Sequence, residues 1–464
     1  MKKVIICSIF VGILFSCKTK EEGKGEILAG LLSVSNSSIQ NSSQSNVISL
    51  NLSGAKGIAI ARNSISSSIR SVSSNTNAVV VDNQDKVSPA FTFGDVEVEK
   101  FYILKNNGVL AILKNPIMLA EVDNVTYIRP KTFVINDKKQ YRNCKVLISD
   151  VMGKIRCLDY GIEFIQNNSN YSIVNFDGDG NIFLAYQKQD GITYVTKYSV
   201  EGKNPINVFT AGINQYIANI KVTNDSEVLI NHLSFNTGIT RFDSIKNGNI
   251  TVIDSNMANV TYYFIEKFPD NKYYYTHNIG GDHGTGLFQF NPASGTITNW
   301  NWNVANWNNW TETYSGTNFC SAGNGYLVTN SSKVFYKALP QSPSAGSNFY
   351  VYQLYPKLQV LPIPGLVNIV SIYSIEDSNE ILVAGYVSGS FNIAFKFLNT
   401  INYTTRDAFI GTIPLLPESV TVNQQSKKIE FIDGRKIKSF DFSSGYGVFS
   451  ETNINEDLIQ YNSL

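Results

Sequence analysis

Hydrophobic and polar positions alternate over short runs along most of the chain, from about residue 78 to the end. Gly, Asn, Asp and Pro separate these runs, and none of the runs has the spacing of apolar residues that an amphipathic helix requires. Asp-Gly and Gly-Asn pairs allow the positive backbone φ that tight hairpins use. The pattern therefore predicts an all-β domain over residues 78–464.

A repeat of four such runs recurs along this domain. The clearest repeat occupies residues 171–213 and has the turn Asp177-Gly-Asp-Gly-Asn181 after its first strand. Further repeats begin near residues 217, 262, 318, 369 and 420. A four-strand unit that recurs every roughly 50 residues is typical of the blades of a β-propeller.

The number of blades depends on the residues upstream of these repeats. Residues 101–166 contain enough short runs for two further, more compact blades. Residues 79–81 are predicted to complete the last blade, which closes the ring and removes exposed strand edges. The predicted fold is thus a β-propeller of seven or eight four-stranded blades, with eight favoured. Two stacked sandwiches or a mixed array of barrels is the alternative all-β arrangement.

Ser and Asn dominate the chain just ahead of this domain, over residues 33–77. Such a composition offers too little apolar surface to offset the entropy lost on ordering. We therefore expect residues 17–77 to form a disordered tether. The alternative is that residues 47–60, which include apolar side chains among the serines, are partly ordered. The tether is then shorter.

The first residues have the composition of a secretory signal. Lys2 and Lys3 precede an apolar run, residues 4–15, that is too short to span a bilayer. The next residues, Leu14-Phe15-Ser16-Cys17, resemble the lipobox of bacterial lipoproteins, in a relaxed form similar to that of spirochaete lipoproteins. The resemblance implies that residues 1–16 are a signal peptide, that Cys17 is acylated and that the protein is anchored in the cell envelope. A signal peptide without lipidation, or an N-terminal anchor, is the alternative.

The charge balance restricts the partners. Lys and Arg number 38 and Asp and Glu number 37, and removal of the signal takes away two lysines and no acid. A nearly neutral chain lacks the cationic face that nucleic acids require. No later segment has the roughly 20 apolar residues of a membrane span. The lipid on Cys17 is therefore the only membrane attachment that the sequence predicts.

Three cysteines remain once Cys7 is lost with the signal and Cys17 is acylated. They are Cys144, Cys157 and Cys320, and an odd number permits at most one internal bridge. Cys144 and Cys157 lie on neighbouring strand-like runs, which favours a disulfide between them. Two reduced, buried cysteines are the alternative.

Motifs for metal binding and catalysis are weak. The loop from Asp177 to Asn181 has alternating oxygen-bearing side chains, but Ile182 and Lys188 stand where a calcium loop needs Gly and Glu, so a hairpin turn is favoured. The group His277, Asp282 and His283 matches no zinc-site spacing. No nucleophile elbow or phosphate-binding loop is present in the sequence. We predict no metal and no cofactor.

One segment stands out by its composition, since residues 299–310 contain every tryptophan of the chain among many asparagines. The candidate ligand-binding residues are Trp300, Trp302, Trp307, Trp310 and Tyr314. Aromatic faces beside amide groups suit sugars or peptides. Packing between blades is the alternative use of these rings.

Together these features predict an envelope or surface lipoprotein, on the periplasmic or outer face of the membrane. Its propeller is expected to bind a protein or a glycan, because loops at the ends of a propeller form recognition surfaces on a rigid frame. The alternative is a carbohydrate-active hydrolase or lyase with carboxylates over the central channel.

Overall fold

The structure, a computed structural model, divides the chain into two units, Met1–Asn46 and Val47–Leu464. Residues 46–464 are described apart from 67–74, 93–95, 130–138, 159–173, 188–191, 213–214, 235, 258–259, 269, 280–286, 300–325, 331–332, 338–350, 357–358, 376–377, 391, 409–419, 424–427, 434 and 442–449. All regular structure in the described part is β-strand. No helix there is long and apolar enough to cross a membrane.

The first sheet joins the two ends of the second unit. Its strand order is β3-β2-β1-β33, with β1 (Ala55–Ser66), β2 (Asn75–Asp82), β3 (Val87–Pro89) and β33 (Leu458–Ser463). Gly57 of β1 permits this pairing, because a Cβ at that position would overlap the ring of Tyr461 on β33. The buried Tyr461 therefore packs directly against the backbone of the N-terminal strand.

The next four sheets follow in chain order. The second has β4 (Val98–Ile103), β5 (Val109–Val122), β7 (Arg142–Ser149) and β8 (Ile155–Cys157), with β6 (Val125–Ile128) beside β5. The third has β9 (Val174–Phe176), β10 (Ile182–Gln187), β11 (Thr193–Tyr198) and β12 (Ile206–Thr210). The fourth has β13 (Gln215–Val222), β14 (Val228–Ser234), β15 (Ile239–Lys246) and β16 (Asn249–Met257). The fifth has β17 (Val260–Lys267), β18 (Tyr273–Ile279), β19 (Leu287–Asn291) and β20 (Thr296–Asn299).

Three further four-stranded sheets complete the chain. The sixth has β21 (Tyr326–Asn330), β22 (Lys333–Lys337), β23 (Val351–Tyr355) and β24 (Gln359–Leu361). The seventh has β25 (Leu366–Ser374), β26 (Glu380–Val387), β27 (Ile393–Asn399) and β28 (Thr405–Asp407). The eighth has β29 (Val420–Asn423), β30 (Lys428–Asp433), β31 (Lys436–Asp441) and β32 (Ser450–Asn453). All strand pairs are antiparallel, as expected of consecutive hairpins.

Neighbouring sheets pack face to face around a ring. Among the described residues, buried hydrophobic clusters join seven successive pairs of sheets, including the eighth and the first. In that closing cluster Ile432 of the eighth sheet packs with Val79 and Leu458 of the first. Consecutive four-stranded sheets that close on themselves form a β-propeller, so the predicted fold class is confirmed. The count of eight blades stays a prediction, because the described clusters leave out the boundary between the fifth and sixth sheets.

The predicted repeats agree with the observed strands from the third sheet onward. The first strands of the third to eighth sheets begin at Val174, Gln215, Val260, Tyr326, Leu366 and Val420. The prediction of two compact blades upstream is wrong, because β4–β8 form one sheet in which β5 is long enough to pair with both β6 and β7.

The predicted boundary at residue 78 is also wrong. Strand β1 and part of β2 lie within the residues that were assigned to the tether, and Ile58 and Ile60 are almost fully buried. Small and β-branched residues alternate there among serines, and they are enough to fill a sheet that is covered on both faces. The propeller unit therefore begins at Val47.

Cys144 and Cys157 form a disulfide between β7 and β8, with 5.9 Å between their Cα atoms. Cys144 is buried in the cluster between the first and second sheets. This is the pairing that the sequence favoured. Cys17 and Cys320 lie outside the described residues.

Candidate functional site

The two ends of the propeller differ in how they connect the strands. Connections between first and second strands and between third and fourth strands of each sheet lie at one end, which we call the turn end. Connections between second and third strands, and from one sheet to the next, lie at the other, which we call the loop end. Antiparallel alternation along each sheet places them in this way.

The turn end is built from one repeated turn. Seven of its described connections place a residue with positive φ fourth, and the amide of that residue donates to the carbonyl of the first. These fourth residues are Asp85, Asn107, Gly153, Gly180, Gly202, Ser226 and Asn271. A type I turn followed by a left-handed residue is a common three-residue hairpin loop, and Gly, Asn and Asp tolerate that conformation best. These seven turns are therefore compact three-residue hairpin loops.

Turns of neighbouring sheets also bond to one another. The amide of Gly178 donates to the carbonyl of Asn224 at 2.9 Å, which joins the third and fourth sheets. Lys105 of the second sheet donates to the carbonyl of Gly178. The turns of the second, third and fourth sheets are thus bonded in series.

The carboxylate of Asp177 holds its own turn, residues 177–181, and contacts the next sheet. Its Oδ1 accepts the amides of Asp179 and Asn181 at 3.0 and 2.8 Å, and its Oδ2 accepts the Ser226 hydroxyl of the next sheet. Lys197 Nζ lies 3.3 Å from Oδ2, and the side chain of Asp177 is fully buried. Burial raises the pKa of Asp177, but the hydrogen bonds from Ser226 and Asn181 outweigh it, so the net pKa is lowered. The loop is a hairpin turn, as predicted, whose carboxylate joins two sheets.

Glu227 makes a similar junction between the fourth and fifth sheets. Its carboxylate is almost fully buried, and Lys267 Nζ donates to Oε2 at 2.8 Å. The hydroxyls of Ser244 and Tyr273 donate to Oε1. Burial, followed by the bond to Glu227, raises the pKa of the Tyr273 hydroxyl. A charge removed from water is thus neutralised and hydrogen-bonded, which is the condition for burying it without large cost.

The longest connections lie at the loop end, although residues 442–449, which connect β31 to β32 at the turn end, also form a longer connection. Residues 300–325 connect β20 to β21, residues 338–350 connect β22 to β23, and residues 408–419 connect β28 to β29. The candidate residues Trp300, Trp302, Trp307, Trp310 and Tyr314 belong to the first of these connections and lie outside the described residues. His277 lies in β18, whereas Asp282 and His283 lie in the adjoining loop-end connection, outside the described residues.

Sequence reasoning missed one polar cluster, in the fourth sheet. His232 Nε2 lies 2.8 Å from Asp243 Oδ2, and Arg241 Nη2 lies 2.9 Å from the same oxygen. Register pairs His232 with Arg241 and Ile230 with Asp243, so these side chains share one face of the sheet. The available signal was the alternation Val228, Ile230, His232, which puts a histidine at a core position.

The side chains of His232 and Asp243 are buried, whereas that of Arg241 is 39% exposed. His232 Nδ1 is a buried atom without a hydrogen-bond partner among the described residues, and so is Thr193 Oγ1 on the facing third sheet. Phe209 packs edge-on against the imidazole at 5.9 Å. A buried His–Asp pair can orient a general base, but here no substrate can reach Nδ1. We therefore assign the cluster to packing between the two sheets.

Three buried carboxylates in the described part of the chain have cationic partners, whereas Oε2 of Glu430 on β30 is buried without a hydrogen-bond partner among the described residues. Asp177, Glu227 and Asp243 each contact Lys or Arg, and the first two lie at the turn end. Among the described residues, no group of three His, Cys, Asp or Glu side chains is arranged to hold a metal ion. The alternative of carboxylates gathered over the channel stays a prediction.

No protein-family model and no curated protein sequence matches the chain. Solved structures with a similar fold include a dihydro-heme d1 dehydrogenase, at 9% identity and TM-score 0.46, over 88% of this chain and 75% of that one. An oligogalacturonate lyase from Vibrio parahaemolyticus matches at 11% identity and TM-score 0.41, over 76% and 96% of the two chains. The β-propeller domain of a trilobed protease from Pyrococcus furiosus matches at 11% and 0.41, over 78% and 96%. At these values the activities of those proteins say nothing about this chain, whose propeller fold rests on its own strand order and packing.

Proposed function

We propose that this protein is an envelope lipoprotein, held by an acylated Cys17, whose propeller binds a protein or a glycan through the loop end. The observation that carries the proposal is the division between the two ends. Seven described connections at the turn end are three-residue hairpins, some of which bond to one another, whereas the longest connections, which offer room for recognition, lie at the loop end.

The composition of those connections supports the same reading. Residues 300–325 contain every tryptophan of the chain, surrounded by asparagines. Indole rings offer large apolar faces at a small entropic cost, and amide groups donate and accept hydrogen bonds to hydroxyls or peptide groups. A rigid ring beneath such loops restricts their loss of freedom on binding, which favours affinity.

A glycan array and a pull-down from envelope extract, both with the purified full-length protein, test the binding. Trp302→Ala is expected to weaken the strongest interaction about tenfold or more, because aromatic anchors dominate interface energies. Trp302→Phe is the matched control and is expected to retain most of the affinity. A protein that binds nothing in either assay, or a Trp302→Ala variant that binds as wild type, contradicts the proposal.

Anchoring and location have a separate test. Cys17→Ala is expected to move the protein from the membrane fraction to the soluble fraction, since the proposed lipid is its only attachment. Protease treatment of intact cells then distinguishes the surface from the periplasmic face. Membrane association that is unchanged in Cys17→Ala contradicts the lipoprotein assignment.

A further inference from the structure

The rim of the propeller is formed by one strand of each sheet, and β16 is unusual among these strands. The inner strands of neighbouring sheets contact one another, for example β13 with β17 and β29 with β33, so the strands at the opposite side of each sheet lie at the rim. Strand β16 has nine residues, whereas the rim strands of the other described sheets have three to five. Among the described residues, no strand pairs with the outer edge of β16.

The composition of β16 also differs from that of a protected edge. Short length, charged side chains and proline are the usual features that keep an exposed edge from pairing with another strand. Several of the shorter rim strands carry such residues, namely Pro89 in β3, Arg406 and Asp407 in β28, and Glu451 in β32. Residues 249–253 of β16 carry no charge, and Ile250 and Val252 are 53% and 46% exposed. This strand therefore has the length and composition of an edge that accepts a further strand.

The register of β16 determines which of its backbone groups point outward. Residues 247–248 both have positive φ and form a two-residue hairpin turn, so Lys246 and Asn249, which close the turn, are a hydrogen-bonded pair. Hydrogen-bonded and non-hydrogen-bonded pairs alternate along an antiparallel ladder. Ile250 and Val252 are therefore non-hydrogen-bonded positions, whose N–H and C=O groups point away from β15. The exposed apolar residues and the outward backbone groups coincide.

We propose that β16 is a self-pairing interface, in which the β16 strands of two copies of this chain join antiparallel about a two-fold axis at Thr251. In this register Ile250 of one copy lies opposite Val252 of the second copy, and each such pair exchanges two backbone hydrogen bonds. The apolar side chains of both copies then share one face of the joined sheet. The two Thr251 side chains lie opposite each other on the other face.

A second copy is the occupant that fits this edge, because the edge is complementary to itself. A two-fold interface requires one segment to supply both sides of the contact. The sequence Ile250-Thr251-Val252 is apolar, polar and apolar in either direction. Each apolar side chain thus meets an apolar one, each threonine meets a threonine, and such cross-strand pairs stabilise a sheet.

The pairing has a consequence for the proposed binding surface. Antiparallel strands from the two copies run in opposite directions between the turn end and the loop end, so the loop ends of the two propellers point in opposite directions. A dimer then presents two recognition surfaces that do not obstruct each other. Two such surfaces raise the avidity for a partner with repeated sites.

Cross-linking in the full-length chain tests the register. The variant Thr251→Cys is made in a chain that also carries Cys7→Ser, Cys17→Ala and Cys320→Ser, so that the remaining native cysteines are those of the disulfide Cys144–Cys157. Opposite residues at a non-hydrogen-bonded position have Cα atoms about 4.5 Å apart, which is within the range of a disulfide. Mild oxidation at about 100 µM protein is therefore expected to link most Thr251→Cys chains into dimers.

Asn249→Cys is the matched control on the same strand. Asn249 is also exposed, but its equivalent in the second copy lies four residues along the joined strands, at about 13 Å. Its cross-linking is expected to be at least about tenfold lower than that of Thr251→Cys. Equal cross-linking of the two variants overturns the proposed register.

Sedimentation equilibrium of the full-length Cys17→Ala protein measures association without a cross-link. A dimer held by a few strand pairs buries little area, so we expect it to form over about 1 to 100 µM. Val252→Lys is expected to weaken dimerisation about tenfold or more, because it places a charge opposite Ile250 of the second copy. Ile297→Lys on the rim strand β20, where the side chain is 43% exposed, is the matched control and is expected to dimerise as before.

Two results of sedimentation contradict the interface. One is a chain that stays monomeric up to about 100 µM, and the other is equal dimerisation of Val252→Lys and Ile297→Lys. Circular dichroism verifies that both variants retain the β fold, and the cross-linking comparison tests the proposal without either of them.

Discussion

The turn end and the loop end are built from the same strands, but they differ in the hydrogen bonds between sheets and in the length of their connections. At the turn end, Asp177 and Glu227 each accept hydrogen bonds from a neighbouring sheet. A substitution at either residue therefore removes a contact between two sheets. At the loop end, connections range from residues 434–435 between β30 and β31 to residues 300–325 between β20 and β21. The proposed binding surface therefore lies at the end whose connections differ most in length.

The largest effect is expected from removing the charge that joins the fourth and fifth sheets. Glu227→Gln leaves the largely buried Lys267 with only the more distant carboxylate of Asp225, 3.8 Å from its Nζ, and breaking the buried pair with Glu227 costs about 3 kcal/mol of unfolding free energy. Urea unfolding followed by circular dichroism measures the change. Glu451→Gln is the matched control, because its pair with Lys436 is exposed and contributes little. Equal stability of Glu227→Gln and wild type contradicts the role given to the turn end.

A smaller effect is expected from a pair of glycines with the same backbone conformation at opposite ends. Gly153 and Gly389 both have φ of +76°, but a Cβ on Gly153 would overlap the Leu50 carbonyl, whereas a Cβ on Gly389 meets open space. Gly389→Ala is expected to lose about 1 kcal/mol from backbone strain alone. Gly153→Ala is expected to lose about 2 kcal/mol or more and to expose residues 47–50 to proteases, because the Leu50 amide donates to the Gly153 carbonyl.

Limited proteolysis with mass spectrometry tests whether Gly153→Ala exposes residues 47–50. Wild type and Gly389→Ala are expected to resist cleavage after residue 46, and Gly153→Ala is expected to be trimmed into residues 47–54. Identical trimming in the two alanine variants contradicts the attachment of residues 47–50 to the turn that contains Gly153.

Sequence patterns predicted the middle of the propeller well, and there are physical reasons for this. Period-two alternation and turns such as the one at Asp177 are local signals, so the strands from Val174 onward follow from them. The Cys144–Cys157 pairing followed in the same way from adjacent strand-like runs.

The ends of the chain were harder to predict, because they depend on contacts that are distant in sequence. Strand β1 has few large apolar residues and becomes a strand by pairing with β33, at the opposite end of the chain. Its serines and asparagines suggest disorder when they are considered locally. The cluster at His232 was missed for a similar reason, since Asp243 approaches it only through the register of β14 and β15.

The smallest stability effect is expected at Asp177, and it depends on pH. The folded pKa of Asp177 is lowered, so its contribution is present above the pKa of the unfolded chain and is lost as the pH falls through the folded pKa. Asp177→Asn is expected to lose about 1 kcal/mol at neutral pH and to show a smaller loss of stability on acidification below about pH 4 than wild type.

Urea midpoints between neutral and acidic pH test this expectation. Asp82→Asn is the matched control, because Asp82 Oδ1 accepts two turn amides in the same way and asparagine keeps that acceptor. An acid response in Asp177→Asn that is identical to wild type contradicts the junction assigned to this carboxylate.

The central claim, that partners bind at the loop end, is tested most directly by blocking each end in turn. A polyethylene glycol chain is attached to Ser388→Cys, on an exposed turn at the loop end, or to Gln84→Cys, on an exposed turn at the turn end, in the Cys320→Ser protein. Binding is then measured on the glycan array and in envelope pull-downs. Blocking at Ser388→Cys is expected to weaken binding about tenfold, and blocking at Gln84→Cys is expected to change it by less than about twofold. Loss of binding from the block at Gln84→Cys, with none from the block at Ser388→Cys, contradicts the account.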